Sequence, residues 1–148
     1  KYIGRTFIQP GQKSREDKVK IKLNPIADVV RGKRIVMIDD SIVRGTTSDR
    51  IVSMLKEAGA KEVHVRISSP PFLYPCYFGT DVPDSDQLIA YNRTIEEIRQ
   101  IIGADSLGYL KLERLPELTG GRQFCQGCFT GKWPIDPPKE DIRGEYDA

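Results

Sequence analysis

The chain has 148 residues, 30% of them charged, with 23 Lys and Arg against 21 Asp and Glu and a formal net charge of +2. That length holds one sizeable core and favours a single domain, while the charge is too weak and too evenly spread for a nucleic-acid-binding surface. No apolar run approaches the roughly twenty residues of a membrane span and none reads as a signal peptide, so an intracellular α/β protein without a membrane segment is expected.

In chain order, residues 2–8 predict a short strand, followed by a polar loop over residues 9–18 that contains Pro10 and Gly11. The basic residues between Lys13 and Lys22 are interleaved with Glu16 and Asp17 and read as solvated surface. A brief helix is predicted over residues 25–30. Next come Ile35, Val36, Met37 and Ile38, then Asp39-Asp40, then Ser41-Ile42-Val43-Arg44-Gly45-Thr46-Thr47-Ser48. Four apolar residues rich in β-branched types predict a buried parallel strand that carries two adjacent carboxylates to its carboxyl end, the edge where open α/β sheets bind ligands. The loop with Gly45 then enters a helix. Unpaired N–H groups and the positive end of the helix dipole converge there, which suits a phosphate. Carboxylates about one sugar's width from a phosphate cradle point to a phosphorylated ribose, with hydroxyls on Asp39 and Asp40 and the monophosphate on the loop. A P-loop is excluded because no Gly-Lys-Ser/Thr follows Gly45, and a dinucleotide fingerprint fails because the loop has one glycine where that motif needs three.

Ile51, Val52, Leu55 and Ala58 recur at helical spacing, and Gly59 supplies the stop. Residues 62–67 alternate as a strand and complete a βαβ unit, whose crossover is expected to be right-handed. Residues 68–83, rich in proline and aromatic residues, predict irregular structure. Thr94-Ile95-Glu96-Glu97 is a capping box that opens a helix with the apolar face Ile95, Ile98, Ile101 and Ile102, stopping at Gly103. Residues 107–110 predict a further strand.

Three cysteines form a second constellation: Cys76, and Cys125 with Cys128 in Cys-Gln-Gly-Cys. Their odd number without a secretory signal argues against a disulfide framework, which leaves metal binding or buried thiols. The knuckle spacing suits thiolates facing one centre, but within this chain only His64 could complete a zinc site, and a lone strand histidine is more often packed or hydrogen-bonded.

The segment from Ile35 to Thr47 resembles the phosphoribosyl pyrophosphate (PRPP) loop of type I phosphoribosyltransferases. With Ser68-Ser69-Pro70-Pro71, Pro75-Cys76-Tyr77-Phe78-Gly79-Thr80-Asp81, residues 102–110 and Cys125-Gln126-Gly127-Cys128-Phe129-Thr130-Gly131, nearly the whole chain resembles the carboxy-terminal part of the glutamine PRPP amidotransferase family, in its iron–sulfur branch. The resemblance implies a type I phosphoribosyltransferase-like α/β fold, a parallel sheet flanked by helices, with a phosphoribosyltransferase unit over residues 1–116. A Cys-containing tail over residues 117–148 would pack on it. It implies that Asp39 and Asp40 bind the ribose hydroxyls and associate with Mg²⁺. Ser41, Ile42, Val43, Arg44, Gly45, Thr46 and Thr47 would hold the 5-phosphate.

Residues 5–24 resemble a loop that closes over PRPP, with Arg5 and Lys22 at positions that contact substrate. Cys76, Cys125 and Cys128 match three of four ligands of a 4Fe-4S cluster. The implied activity makes 5-phosphoribosylamine from PRPP and glutamine-derived ammonia, the first step of purine synthesis, in a cytoplasmic homo-oligomer. The chain begins with Lys1 inside what reads as a working region, so it is expected to be a fragment that lacks the amino-terminal glutaminase domain. Two other classes share the PRPP loop. A salvage or pyrimidine phosphoribosyltransferase would not need the three cysteines, and a non-catalytic PRPP-sensing regulator would carry a DNA-binding module that is not apparent here.

Overall fold

The computed structural model describes residues 27–78, 84–122 and 124–136. The expected strand over residues 2–8, the loop after it and the residues Arg5 and Lys22 lie outside the described residues. Of the helix expected over residues 25–30, the described part is α1 (Ala27–Val30).

Among the described residues three parallel strands form one sheet, β1 (Arg34–Asp39), β2 (Glu62–Ile67) and β3 (Ser106–Tyr109), in the order β1-β2-β3. β1 and β2 pair from Arg34 with Glu62 to Asp39 with Ile67, and β2 pairs with β3 from His64 with Ser106 to Ile67 with Tyr109. Helix α2 (Thr46–Glu57) links β1 to β2, and α3 (Ile95–Ile101) precedes β3. Parallel neighbours require such crossovers, and the helices supply the apolar cover that a parallel sheet needs. Two short helices follow, α4 (Leu115–Leu118) and α5 (Gly127–Thr130). The described part of the segment after β2, through Phe78, is irregular as expected.

The core lies on one face of the sheet. Val63, Val65 and Ile67 of β2 meet Val52 and Leu55 of α2 and Ile98 of α3, with Ile42 and Ile89 from the loops. The alternation of β2 decides this, since its odd-numbered residues are buried while Glu62 and His64 are half-exposed and Arg66 is exposed.

The structure corrects two expectations. β1 is not buried on both faces: Val36 is 61% exposed and Ile38 75% exposed, while Ile35 and Met37 pack against the core. Among the described residues β1 stands at the edge of the sheet, and the described helices cover only the face that Ile35 and Met37 share. On α3, Ile98 and the following Ile102 are buried, but Ile95 and Ile101 are about half exposed. A helix of two turns reaches the sheet only through the centre of its apolar stripe. Its capping box is formed, with Glu97 N donating to Thr94 Oγ1 at 3.2 Å and Thr94 N to Glu97 Oε2 at 2.7 Å.

Candidate ribose-phosphate site

Asp39 closes β1 on its core-facing side and is half-buried, while Asp40 turns outward and is exposed. The Asp39 carbonyl accepts hydrogen bonds from Ser68 N at 2.9 Å and Ser68 Oγ at 3.2 Å, so the ends of β1 and β2 are stitched beneath the acidic pair. Asp40 N donates to Asp39 Oδ1 at 2.9 Å, and Ser41 Oγ approaches Asp40 Oδ1 at 3.4 Å. Burial pushes the Asp39 carboxyl above its ordinary value; the hydrogen bond from Asp40 N pulls the other way, and the Asp40 charge raises it further.

The loop between the carboxylates and α2 is held from below. Ile42 is a core residue, 2% exposed, so its side chain anchors the loop and only its backbone can face a ligand. The Val43 carbonyl accepts from Ile89 N at 2.8 Å. Gly45 occupies the cap of α2 at φ 85, a left-handed conformation that favours glycine, and a Cβ there would collide with the Ile89 side chain. Gly45 brings no side chain to cap the helix, and Asp49 N donates to its carbonyl at 2.9 Å to close the first turn. The first N–H groups of α2 are thereby offered at the mouth of the loop, beside the exposed Arg44, Thr46 and Thr47.

Residues 39–47 thus come together at one end of β1, with two carboxylates on one side and an uncapped helix start on the other. Carboxylate oxygens are the hard donors that Mg²⁺ takes, so the acidic pair fits that ion in donor chemistry. The sequence reading missed Ile89 and Ser68, which hold the loop and the acidic pair in place. Both act through contacts far apart in the chain, and no local pattern marks them.

The cysteines meet at a second place. The Cys128 carbonyl accepts from Leu73 N at 2.9 Å and Tyr74 N at 3.0 Å, docking α5 against the segment that carries Cys76. None of the three is in a disulfide. Burial raises the Cys128 thiol above its usual value, with smaller contributions from the negative charge of Cys76 and Cys125. Gly127 N donates to Cys125 Sγ at 3.5 Å. The thiols are soft donors drawn into one neighbourhood from two segments, which fits iron–sulfur ligation in chemistry. Among the described residues no three His, Cys, Asp or Glu side chains converge on a single metal ion. His64 is not a ligand in reserve: Nδ1 pairs with Ser106 Oγ at 2.8 Å and Nε2 with Glu62 Oε2 at 2.9 Å. Among the described residues no helix is long and apolar enough to cross a membrane.

Comparison with known proteins agrees with this geometry. No family model matches the chain. It is 52% identical over 144 residues to amidophosphoribosyltransferase 2, chloroplastic, of Arabidopsis thaliana, covering 96% of this chain and 26% of that protein. It is 54% identical over 145 residues to the amidophosphoribosyltransferase of Archaeoglobus fulgidus, covering 95% of this chain and 32% of the relative. It is 56% identical over 144 residues to that of Bacillus subtilis, covering 92% and 30%. The solved structure of glutamine PRPP amidotransferase from B. subtilis, complexed with ADP and GMP, superposes with a TM-score of 0.75 at 49% identity, over 96% of this chain and 32% of that one. The chain therefore has the fold of a type I phosphoribosyltransferase and is similar, over nearly all its length, to one segment of the amidophosphoribosyltransferases, while spanning about a quarter to a third of the relatives it matches.

Proposed function

We propose that this chain is the PRPP-binding part of an enzyme that converts PRPP and ammonia to 5-phosphoribosylamine and pyrophosphate, the first step of purine synthesis. One observation carries the reading. The acidic pair Asp39-Asp40 and the uncapped start of α2 stand at the two ends of a single short loop, in a chain about half identical to amidophosphoribosyltransferases over almost all its length.

The ribose hydroxyls donate to Asp39 and Asp40, and the 5-phosphate is held by N–H groups from Ser41 to Thr47 with the Thr46 and Thr47 hydroxyls. Asp39 and Asp40 are also the residues that would hold Mg²⁺, which when bound neutralises charge on the pyrophosphate. Ammonia attacks the anomeric carbon as the bond from that carbon to the pyrophosphate oxygen breaks, through an oxocarbenium-like state. Ammonia already carries its lone pair, so the protein contributes position and water exclusion more than proton transfer. Arg5 and Lys22, outside the described residues, are assigned to the growing pyrophosphate charge.

Ammonia is assigned to a glutaminase domain outside this chain, and the working protein to a cytoplasmic homo-oligomer. Cys76, Cys125 and Cys128 are assigned as three ligands of a 4Fe-4S cluster, which would tie the tail over residues 117–148 to the phosphoribosyltransferase unit. The test is pyrophosphate release from PRPP by the native protein. Release that requires ammonia or glutamine and falls at least tenfold in Lys22→Ala supports the assignment. Release that instead requires a nucleobase, or none with any acceptor, contradicts it.

A further inference from the structure

Trp133 lies directly on the cysteine knuckle. Its ring fills the space where a Cβ on Gly127 would stand, with Cγ at 2.7 Å from that position and Cδ1 and Nε1 closer still. Gly127 is the third residue of Cys125-Gln126-Gly127-Cys128, so only a glycine lets the indole descend this far. Tyr77 and Tyr74, which flank Cys76 in sequence, meet the indole edge-on at centroid distances of 5.3 and 6.2 Å. The ring is fixed over the knuckle by residues from the segment that carries the third thiol.

Its polar atom is unaccounted for. Trp133 Nε1 is buried and has no hydrogen-bond partner among the described residues, although a buried indole N–H ordinarily finds one. Three of the four carbonyls of the knuckle already accept hydrogen bonds. That of Gln126 accepts from Phe129 N, Thr130 N and Thr130 Oγ1, that of Gly127 from Gly131 N, and that of Cys128 from Leu73 N and Tyr74 N. The thiol sulfurs of the knuckle are acceptors by chemistry, and they stand beside this ring.

We propose that Trp133 is a positioning residue of the thiol site, covering the knuckle with its ring and donating its indole N–H to a sulfur of the group that Cys76, Cys125 and Cys128 hold. This rests on the iron–sulfur assignment above. Hydrogen bonds to cluster sulfurs stabilise the reduced form and raise the potential, so loss of the donor lowers it.

The test uses the native protein purified anaerobically. Iron and sulfide counts with the visible spectrum come first, because a wild type without either ends both the cluster assignment and this inference. With the cluster present, Trp133→Phe keeps a ring over Gly127 and removes the donor. Wild-type iron content, a lower midpoint potential and several-fold faster bleaching by an iron chelator support the proposal. Unchanged potential and bleaching overturn it while the cluster assignment stands. Should W133F not fold, wild type labelled with nitrogen-15 in its indoles gives the answer by pulsed electron paramagnetic resonance: an indole nitrogen coupled to the reduced cluster supports the hydrogen bond, and no such coupling overturns it.

Discussion

The Ile89 side chain occupies the place where a Cβ of Gly45 would be, and Ile89 N donates to the Val43 carbonyl at 2.8 Å. A residue 44 positions away therefore sets both the conformation and the depth of the loop that opens α2. The shape of the candidate phosphate cradle depends on packing as much as on its own sequence.

Gly45→Ala tests that dependence. The left-handed φ and the collision with Ile89 together cost about 2–4 kcal/mol of folding stability, read by urea unfolding. Adding Ile89→Ala relieves the collision but not the backbone strain. The double variant is thus expected to be about 1–2 kcal/mol more stable than the sum of the single changes, and strict additivity would mean that the two residues do not press on each other.

Asp39 carries a stability cost that its proposed role explains. Burial holds its proton in the folded state, whereas in the unfolded chain the carboxyl titrates near 3.8. Between that value and the raised folded value the folded state binds more protons, so this group makes stability fall as pH rises through the window, with the full cost present above it. Asp39→Asn keeps an oxygen to accept from Asp40 N and removes the charge. Thermal unfolding at pH 7 should shift upward in this variant and its pH dependence should flatten in that window, while PRPP binding weakens by about 2 kcal/mol. A lower unfolding temperature at pH 7 would remove the burial argument.

Much of this site was legible in the sequence because it is local. A β-branched run, an acidic pair and a glycine before a helix specify strand, turn and helix start in order, and the Thr94–Glu97 box formed as its spacing implies. What the sequence could not show is non-local. Nothing in residues 35–38 says that Val36 and Ile38 face outward, because that depends on which face the helices cover. Nothing near Asp39 announces Ser68, nor anything near Gly45 Ile89. At the knuckle, too, the spacing of Cys125 and Cys128 is local and visible in the sequence, while the docking of the Cys128 carbonyl on Leu73 and Tyr74 is not.

Asp105 anchors the start of β3 to β2. Its Oδ2 accepts from Val63 N at 2.7 Å and lies 3.4 Å from Lys56 Nζ. The hydrogen bond, and secondarily Lys56, hold this carboxyl below its ordinary range. The stability it contributes is therefore present above the unfolded value near 3.8 and is lost as pH falls through the lower folded value. Asp105→Ala leaves Val63 N without its partner and should cost about 1–2 kcal/mol at pH 7, mostly from that donor, since the exposed ion pair adds little. Chemical denaturation at pH 7 and at pH 3 checks this, with the difference between variant and wild type shrinking at the lower pH.

Cys125→Ser addresses the proposed cluster. In the native protein it should lose iron and loosen the tail, because metal-binding energy at such a site is also folding energy. Affinity for PRPP should change little, since Cys125 lies in the tail and Asp39–Thr47 at the end of β1. Full iron content in the variant would exclude Cys125 as a ligand.

The most direct measurement is calorimetric titration of PRPP with Mg²⁺ into the native protein and into Asp40→Asn. Saturable binding by the wild type is expected, weakened about 30-fold in the variant, the equivalent of about 2 kcal/mol for a charge-assisted hydrogen bond lost from a ribose hydroxyl. Equal affinity in the two proteins, or no binding by the wild type, would contradict the assignment of residues 39–47 as the PRPP site.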